Sequence, residues 1–347
     1  MRRGPFVVVV FVLLGGLAAA VALRSTHRDS QPRPRAATTS EASSPTARPS
    51  PSARSSPSPT HRGPLLLHGT GDVSLDPSYI PNLRTYGYDY AFSGMNGLFK
   101  RDDLTVINLE CPASHAGTII PKEFNFRCDP AALPAAKASG VDVANQGNNH
   151  AYDYGPEALL NSRHNIQGAG IAPVGSGKDP DQAEEPAFFD VKGWRIAVVG
   201  IDEVLDPEPD EAAAPGHPGT ACGHDVGCMV ESIRRAEARA DLVVVIIHWG
   251  VELDTQPESY QVEQARQFID AGADVIFGGH SHRLQPLAFY KGKPIFYSLG
   301  NFVWPAFSVE GSTTGVAEVR VRPDGKISAK LLPAYIGSSG HPQLTGA

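Results

Sequence analysis

The chain has 347 residues, 41% of them hydrophobic, which allows one large domain or two ordinary ones. Its charge is split: residues 1–64 hold 9 basic and 2 acidic side chains, a net +7, and residues 65–347 hold 21 basic against 35 acidic, a net −14. An acidic domain argues against nucleic acid as the partner.

In chain order, Met1-Arg2-Arg3 is a short basic start, and Phe6 to Leu23 is an unbroken run of apolar or small residues. It is near the lower length for a membrane-spanning helix. It also fits a long signal-peptide core, with Ala20-Val21-Ala22 as a small-x-small cleavage site. The length of the run favours an anchor, so residues 1–23 are read as a signal anchor or signal peptide. Arg24 to Pro64 is rich in Pro, Ser, Thr, Ala and Arg and has too few large apolar residues to build a core. Residues 24–64 therefore read as a disordered stalk, and residues 65–340 as the folded domain. The expected location is the cell membrane, with the domain outside the cytoplasm, or secretion after cleavage.

Within the domain, Leu65 to Gly69 reads as a strand running into Gly71-Asp72-Val73-Ser74. Asp89 to Lys100 reads as a helix, Leu104 to Leu109 as a strand followed by Glu110, and Pro130 to Ser139 as a helix closed by Gly140. Val141 to Ala144 is a strand followed by Asn145 to His150. Pro156 opens a helix to about Asn165. Ala187 to Val191 and Arg195 to Ile201 form a hairpin across Lys192-Gly193, and the Pro/Gly/Asp-rich Asp202 to Asp225 is a surface excursion. Val230 to Ala240 and Glu258 to Ala271 are helices. Leu242 to Ile247 is a wholly apolar strand and Ala273 to Phe277 a short buried one, apolar from Val275 on, and both should be central. Gly278-Gly279 then lets the chain turn into His280-Ser281-His282. Leu287 to Tyr290 pairs with Pro294 to Tyr297, and Gly315 to Arg322 with Lys326 to Pro333. Alternating strands and helices with late hairpins give an α/β (α+β) layered domain.

Cys111, Cys128, Cys222 and Cys228 form an even set behind an export signal, which reads as disulfides. Their pairing is not deducible from sequence; the local pairs 111–128 and 222–228 demand least.

Five strand ends deliver candidate ligands: Asp72, Glu110, Asn149-His150, His248, and His280 with His282. A turn aspartate, a capping amide or a loop H-x-H is common by itself. At neighbouring strand ends of an α/β sheet they converge. Mixed oxygen and imidazole donors without thiolate suit Mn, Zn, Fe or Mg. There are too many for one tetrahedral ion and enough for two divalent metal ions sharing a carboxylate, an arrangement that clamps a phosphoryl group.

Gly71-Asp72, Asn108-Leu109-Glu110, Asn148 to Gly155, His248-Trp249-Gly250-Val251-Glu252, Gly272 to His282 and Ser298 to Phe302, in this order, resemble the CapA (PgsA) capsule-synthesis family over about residues 65–335. That family is linked to poly-γ-glutamate production and resembles the calcineurin-like metallophosphoesterases, which implies a four-layer α/β/β/α sandwich. The resemblance implies Asp72 and His282 on a first metal, Asn149, His248 and His280 on a second, and Glu110 bridging both. His150 would protonate the leaving oxygen or steady the transition state. Beside these, Glu252 and Asn301 either line the substrate pocket or only bond loop backbone, and Arg283 is a nearby positive charge for an anionic substrate. Two departures are visible. Ser74 stands where the phosphoesterase pattern has a histidine, and Glu110 replaces the usual aspartate, so the first metal would be weak, labile or absent. Asp153 reads as a helix cap or a partner of a site residue, and Asp274 as a backbone-bonding residue.

The function expected is an exported, membrane-anchored, metal-dependent hydrolase acting on a phosphoester or an anionic envelope polymer, with other capsule-synthesis proteins as possible partners. The alternatives are a non-catalytic scaffold or export component, and an amide hydrolase or ligase partner acting on γ-glutamyl chains.

Overall fold

The structure, a computed structural model, describes residues 62–204 and 211–346. The apolar run, and the stalk as far as residue 61, lie outside the described residues. Among the described residues no helix is long and apolar enough to cross a membrane. Arg62 to Pro64, the end of the expected stalk, lie against the domain. Gly63 exchanges hydrogen bonds with Lys192 O (2.8 Å) and Trp194 Nε1 (2.8 Å), and Arg62 lies over the Trp194 ring.

The chain enters through β1 (Leu65–Val73). Helices α1 (Asn82–Tyr86) and α2 (Tyr90–Ser93) and a 3-10 turn at Leu98–Lys100 lead to β2 (Leu104–Leu109). The single helix expected over 89–100 is therefore broken, because Asn96 and Gly97 take positive φ of 50° and 71°. A second 3-10 turn and α3 (Leu133–Ala138) precede β3 (Val143–Asn145). Then come α4 (Gly155–Gly168), β4 (Ala172–Val174), β5 (Ser176–Gly177) and α5 (Pro180–Ala183). The hairpin of β6 (Ala187–Val191) and β7 (Trp194–Asp202) turns on Lys192-Gly193, both at positive φ, as the sequence predicts.

Next are β8 (Gly219–Thr220), α6 (Val226–Glu237), β9 (Leu242–His248), α7 (Ser259–Asp270) and β10 (Val275–Gly279). Helix α6 starts earlier than expected because Asp225 caps it, accepting from Cys228 N at 3.1 Å. The chain closes with β11 (Leu287–Tyr290), β12 (Lys293–Phe296), β13 (Asn301–Val303), α8 (Val309–Ser312), β14 (Thr313–Val321), β15 (Ile327–Ile336) and β16 (Pro342–Leu344).

Two mixed sheets carry the domain. One runs β16-β15-β14-β1-β2-β3-β4, with β13 also pairing β1; the other runs β11-β12-β10-β9-β7-β6. The two apolar strands, β9 and β10, are central, as their composition requires. One buried cluster takes Leu67, Val106 and Val143 from the first sheet and Ile196, Val244 and Phe277 from the second. A second packs Phe92, Phe99 and Leu133 over the first sheet. A third sets Ile233 of α6 and Phe268 of α7 on the other side of the second sheet. The result is a mixed α/β fold in which alternate side chains of each central strand are buried on both faces.

The segment expected as a surface excursion is partly interior. Asp202, Glu211 and Thr220 are buried, and β8 pairs with β5. Backbone pairing, which a Pro/Gly/Asp composition does not advertise, draws it in. Asp274 bonds backbone as expected, accepting from Val243 N at 2.9 Å.

Both disulfides are local, Cys111–Cys128 and Cys222–Cys228. The first closes a 17-residue separation and the second one of 6. Loop-closure entropy makes the longer bridge the larger contributor, about 3 against about 2 kcal/mol. Replacing Cys111 and Cys128 together by Ser should lower the unfolding free energy by more than the same change at Cys222 and Cys228, measured by denaturant titration. Equal losses would show that strain, not chain entropy, sets the stabilisation.

Candidate metal centre

Strand register brings the polar residues together. In the first sheet Asp72 of β1 lies beside Asn108 of β2 and, on its other side, beside Asn301 of β13. In the second, His248 at the end of β9 lies beside Gly279 of β10. Glu110 follows β2, and Asn149 and His150 occupy the turns after β3. Apart from Asn301, which opens β13, these are strand carboxyl ends, where crossover loops leave room for a site.

The side chains converge tightly. His248 Nε2 is 3.0 Å from Asn149 Oδ1, 3.2 Å from His280 Nδ1 and 3.5 Å from Glu110 Oε1. Donors about 2.1 Å from a shared ion stand about 3.0–3.4 Å from one another, and His248 Nε2 has Asn149 and His280 at that distance and Glu110 just beyond it. On the other side of Glu110, His282 Nδ1 is 3.2 Å from Asp72 Oδ2 and His282 Nε2 is 3.8 Å from Glu110 Oε1. Donor atoms of Asp72, Glu110 and His248 all lie within 4.8 Å of one another. Asn301 Oδ1 is 2.9 Å from His282 Nδ1, and Asn301 Nδ2 donates to Gly311 O, so this carboxamide steadies the imidazole at the cleft wall. Ser74 is buried, and its Oγ accepts from Asp76 N at 3.4 Å within a turn.

Burial sets the electrostatics. Glu110 is fully buried and neither carboxylate oxygen has a hydrogen-bond donor. Desolvation, with the negative charge of Asp72 added, raises its pKa well above the usual carboxylate range. Desolvation also lowers His248 well below the ordinary imidazole value, helped by neighbouring His280 and His282. Burial opposes charge on His282 too, but its hydrogen bond and proximity to Asp72 outweigh that and raise its pKa. A buried carboxylate without a hydrogen-bond donor, beside an imidazole that burial keeps neutral, has the neighbours to bind a cation. The residues present fit a divalent metal.

The backbone around the imidazole pair differs from the sequence expectation. Gly278 and Gly279 stay in β10 and do not make the turn. Their lack of a Cβ serves close approach, since one on Gly278 would meet Tyr297 O at 2.0 Å and one on Gly279 would meet Asp72 Oδ1 at 2.5 Å. The turn is made by the histidines themselves, with φ of 90° at His280 and 53° at His282. Non-glycine residues seldom adopt such angles, and strain of this kind collects where side-chain placement matters for function.

His150 stands beside this group. Its Nδ1 is 2.9 Å from Asp153 Oδ2, which also accepts from Phe126 N. Asp153 is thus a partner of His150 and not a helix cap; α4 begins without a side-chain cap. Burial lowers the His150 pKa, while Asp153 pulls the other way. Lys122 Nζ lies 2.6 Å from Asp153 Oδ1, donates to Asn149 O, and is 3.5 Å from Glu211 Oε1.

His150, His282, Glu252, Arg283 and Asn301 line one cleft of about 280 Å³, together with Trp304 and other aromatic residues. A chain of ring contacts crosses its wall: His282 stacks on Trp304 (4.9 Å), Trp304 meets Phe126 edge-on (5.3 Å), and Phe126 meets His150 (4.2 Å).

Sequence reading brought out the ligands but not Lys122 or Trp304, and it did not assign Asn108 a role. Asn108 Nδ2 donates to Asp72 Oδ1 (2.9 Å) and lies 3.1 Å from His248 Nδ1, and its Oδ1 accepts from both Asn145 and Asn148. Its place just before Glu110 at a strand end was an available signal. Lys122 sits in a loop with no pattern around it.

Comparison with known proteins agrees with this geometry in its extent. Residues 67–306 match the family described as bacterial capsule synthesis protein PGA_cap. The capsule biosynthesis protein CapA of Bacillus anthracis is 29% identical over 80% of this chain and 69% of its own. The PGA biosynthesis protein CapA of Bacillus subtilis is 33% identical over 77% of this chain and 70% of its own. A probable polyglutamine synthesis accessory protein of Mycobacterium tuberculosis is 31% identical over 63% of this chain and 60% of its own. The match spans every strand end that carries a candidate ligand, and the chain belongs to the bacterial capsule synthesis (PGA_cap, CapA-like) family.

Proposed function

We propose that this chain is an exported, membrane-anchored metal-dependent hydrolase of capsule or poly-γ-glutamate synthesis, working through a dinuclear site on a four-layer α/β/β/α sandwich of the metallophosphoesterase type. The observation that carries the reading is Glu110, a buried carboxylate without a donor, between one group of three donors and another of two. Asn149, His248 and His280 would hold one ion, Asp72 and His282 the other, with Glu110 between. Supporting the layered fold are the three apolar clusters, one between the sheets and one outside each.

Bound divalent ions, Mn, Zn, Fe or Mg, would polarise a phosphoryl group and neutralise its charge. The protein does the rest. Asn108 holds Asp72 by a hydrogen bond, and Asn301 orients His282. Asp153 accepts from His150 Nδ1 and fixes the ring, so that Nε2 can take a proton from the attacking water and pass it to the leaving oxygen. Lys122 holds the Asp153 carboxylate and the Asn149 backbone at once, tying the acid to a ligand. Arg283 offers a positive charge at the cleft wall, opposite in sign to Glu252. A small cleft with one charge of each sign, on a domain of net −14, favours a phosphoester over a long polyanion.

A non-catalytic scaffold of the capsule machinery is the second reading. Ser74, turned into its own loop, favours it, because the first group then has only Asp72 and His282 besides Glu110. On either reading the protein works beside other capsule-synthesis proteins and not on nucleic acid.

Elemental analysis of the full-length protein should find up to two divalent ions per chain. His248→Ala and His280→Ala should each remove the ion on that side, and Glu110→Gln should weaken both. A wild-type protein that takes up no metal from Mn or Zn buffers ends the hydrolase reading.

His150→Ala should keep its metal and lose about 100- to 10,000-fold in phosphoester turnover. Asp153→Asn should lose less and shift the pH profile. Normal polymer export by a folded, metal-loaded His150→Ala protein would instead support the scaffold.

A further inference from the structure

The cleft mouth has an unusual surface. Ten large hydrophobic side chains are exposed among the described residues, and six of them, Ile119, Phe124, Val251, Leu253, Phe307 and Val309, come from three segments that line the cleft. Phe307 is 78% exposed, Leu253 59% and Phe124 53%. Single exposed hydrophobes need no explanation, but a cluster around a site marks what the site receives.

The chemistry changes along the cleft in one direction. At its base are His150 and His282, the one candidate metal ligand that lines the cleft, with Asp72 and Glu110 buried behind His282 at 3.2 and 3.8 Å. The wall above is the ring series His282, Trp304, Phe126 and His150. The rim is Phe124, Leu253 and Phe307. An anion-binding base, an aromatic wall and an apolar rim fit a ligand with the same order of parts: a charged head, then a hydrocarbon chain. About 280 Å³ holds a phosphoryl head and a few carbons, so a longer chain would continue over the rim. A polycarboxylate would place repeated charge against Phe307 and Leu253, where no cation is available to receive it except Arg283 among the lining residues.

Resting on the phosphoester reading above, we infer that the substrate is an amphiphilic phosphate monoester whose leaving alcohol is an apolar chain. Its head sits at the ligand cluster and its chain runs along Trp304 to Phe307 and Leu253. In the reaction, water adds its oxygen to phosphorus and the bond from phosphorus to the chain oxygen breaks. The chain leaves as the alcohol, taking the proton that His150 has drawn from the attacking water. Inorganic phosphate remains, and nothing is oxidised or reduced.

The test separates binding from turnover. The full-length, metal-loaded protein is titrated calorimetrically with methyl-, ethyl-, butyl- and hexylphosphonate, which cannot be hydrolysed. Affinity should rise about fourfold per methylene over the first few carbons. Phe307→Ser with Leu253→Ser, both exposed and so tolerated by the fold, should flatten the series. Phe289→Ser, an equally exposed position on β11, should leave the series intact. The corresponding alkyl phosphates, assayed for phosphate release, should follow the same order. A flat wild-type series overturns the inference. So does a rising series untouched by the double variant, or a double variant that loses only binding to phosphatidylcholine vesicles, which would make the rim a membrane-docking surface. Rising affinity with no phosphate released from any ester upholds the amphiphile site and overturns the hydrolase reading instead.

Discussion

A carboxylate with no donor, sealed inside the protein, is the constraint from which the rest of the site follows. Burying an ionised group without compensation costs several kcal/mol, and Glu110 has neither oxygen hydrogen-bonded. Among the groups nearest to it only His282, 3.8 Å away and with a raised pKa, tends to relieve this. Asp72 has the same sign, and burial keeps His248 uncharged. The imidazole, carboxylate and carboxamide groups gathered around it are of the kinds that a divalent cation takes as ligands.

The scaffold holds this cost because its strain is local and its support is broad. The positive φ angles of His280 and His282 sit at the end of β10, whose neighbours β9 and β12 pair with it on both sides. Close approach of the backbone at Gly278 and Gly279 leaves the histidines no other path. An amide series, Asn145 and Asn148 to Asn108 and Asn108 to Asp72, then spans the first sheet's strand ends and fixes the opposing carboxylate. The carboxylates and the Asn149 carboxamide of the centre thus come from strand ends of the first sheet and its imidazoles from those of the second, and an apolar layer packs between the two sheets.

Around the centre, hydrogen bonding and packing divide the labour. Asp153 and Lys122 orient His150 through charge, and Phe126 and Trp304 hold both imidazoles of the cleft through ring contacts. The same rings exclude water from the base, which strengthens every electrostatic contact there. Glu211 joins this network from a segment whose composition reads as solvent-facing, and its carboxylate near Lys122 is one reason that segment turns inward.

The amino-acid order alone determined the strands that matter and the polar residues at their ends that are candidates for ligands. Apolar runs such as Leu242 to Ile247 report burial on both faces, and a polar residue immediately after such a run has nowhere to go but the strand end. The alternation of elements, the hairpin at Lys192-Gly193 and the helix opened by Pro156 were legible for the same local reason. Tertiary structure alone decided the rest. Lys122, Trp304 and Glu211 belong to the site through contacts between segments tens of residues apart, and no periodicity records such a contact. Helix 89–100 failed at Asn96-Gly97, and the glycine pair at 278–279 proved to serve clearance and not turning, because steric fit against Tyr297 and Asp72 exists only once both sheets are in place. Local sequence specifies which groups are available at each strand end; the packing of one sheet on the other specifies which of their atoms face the same point.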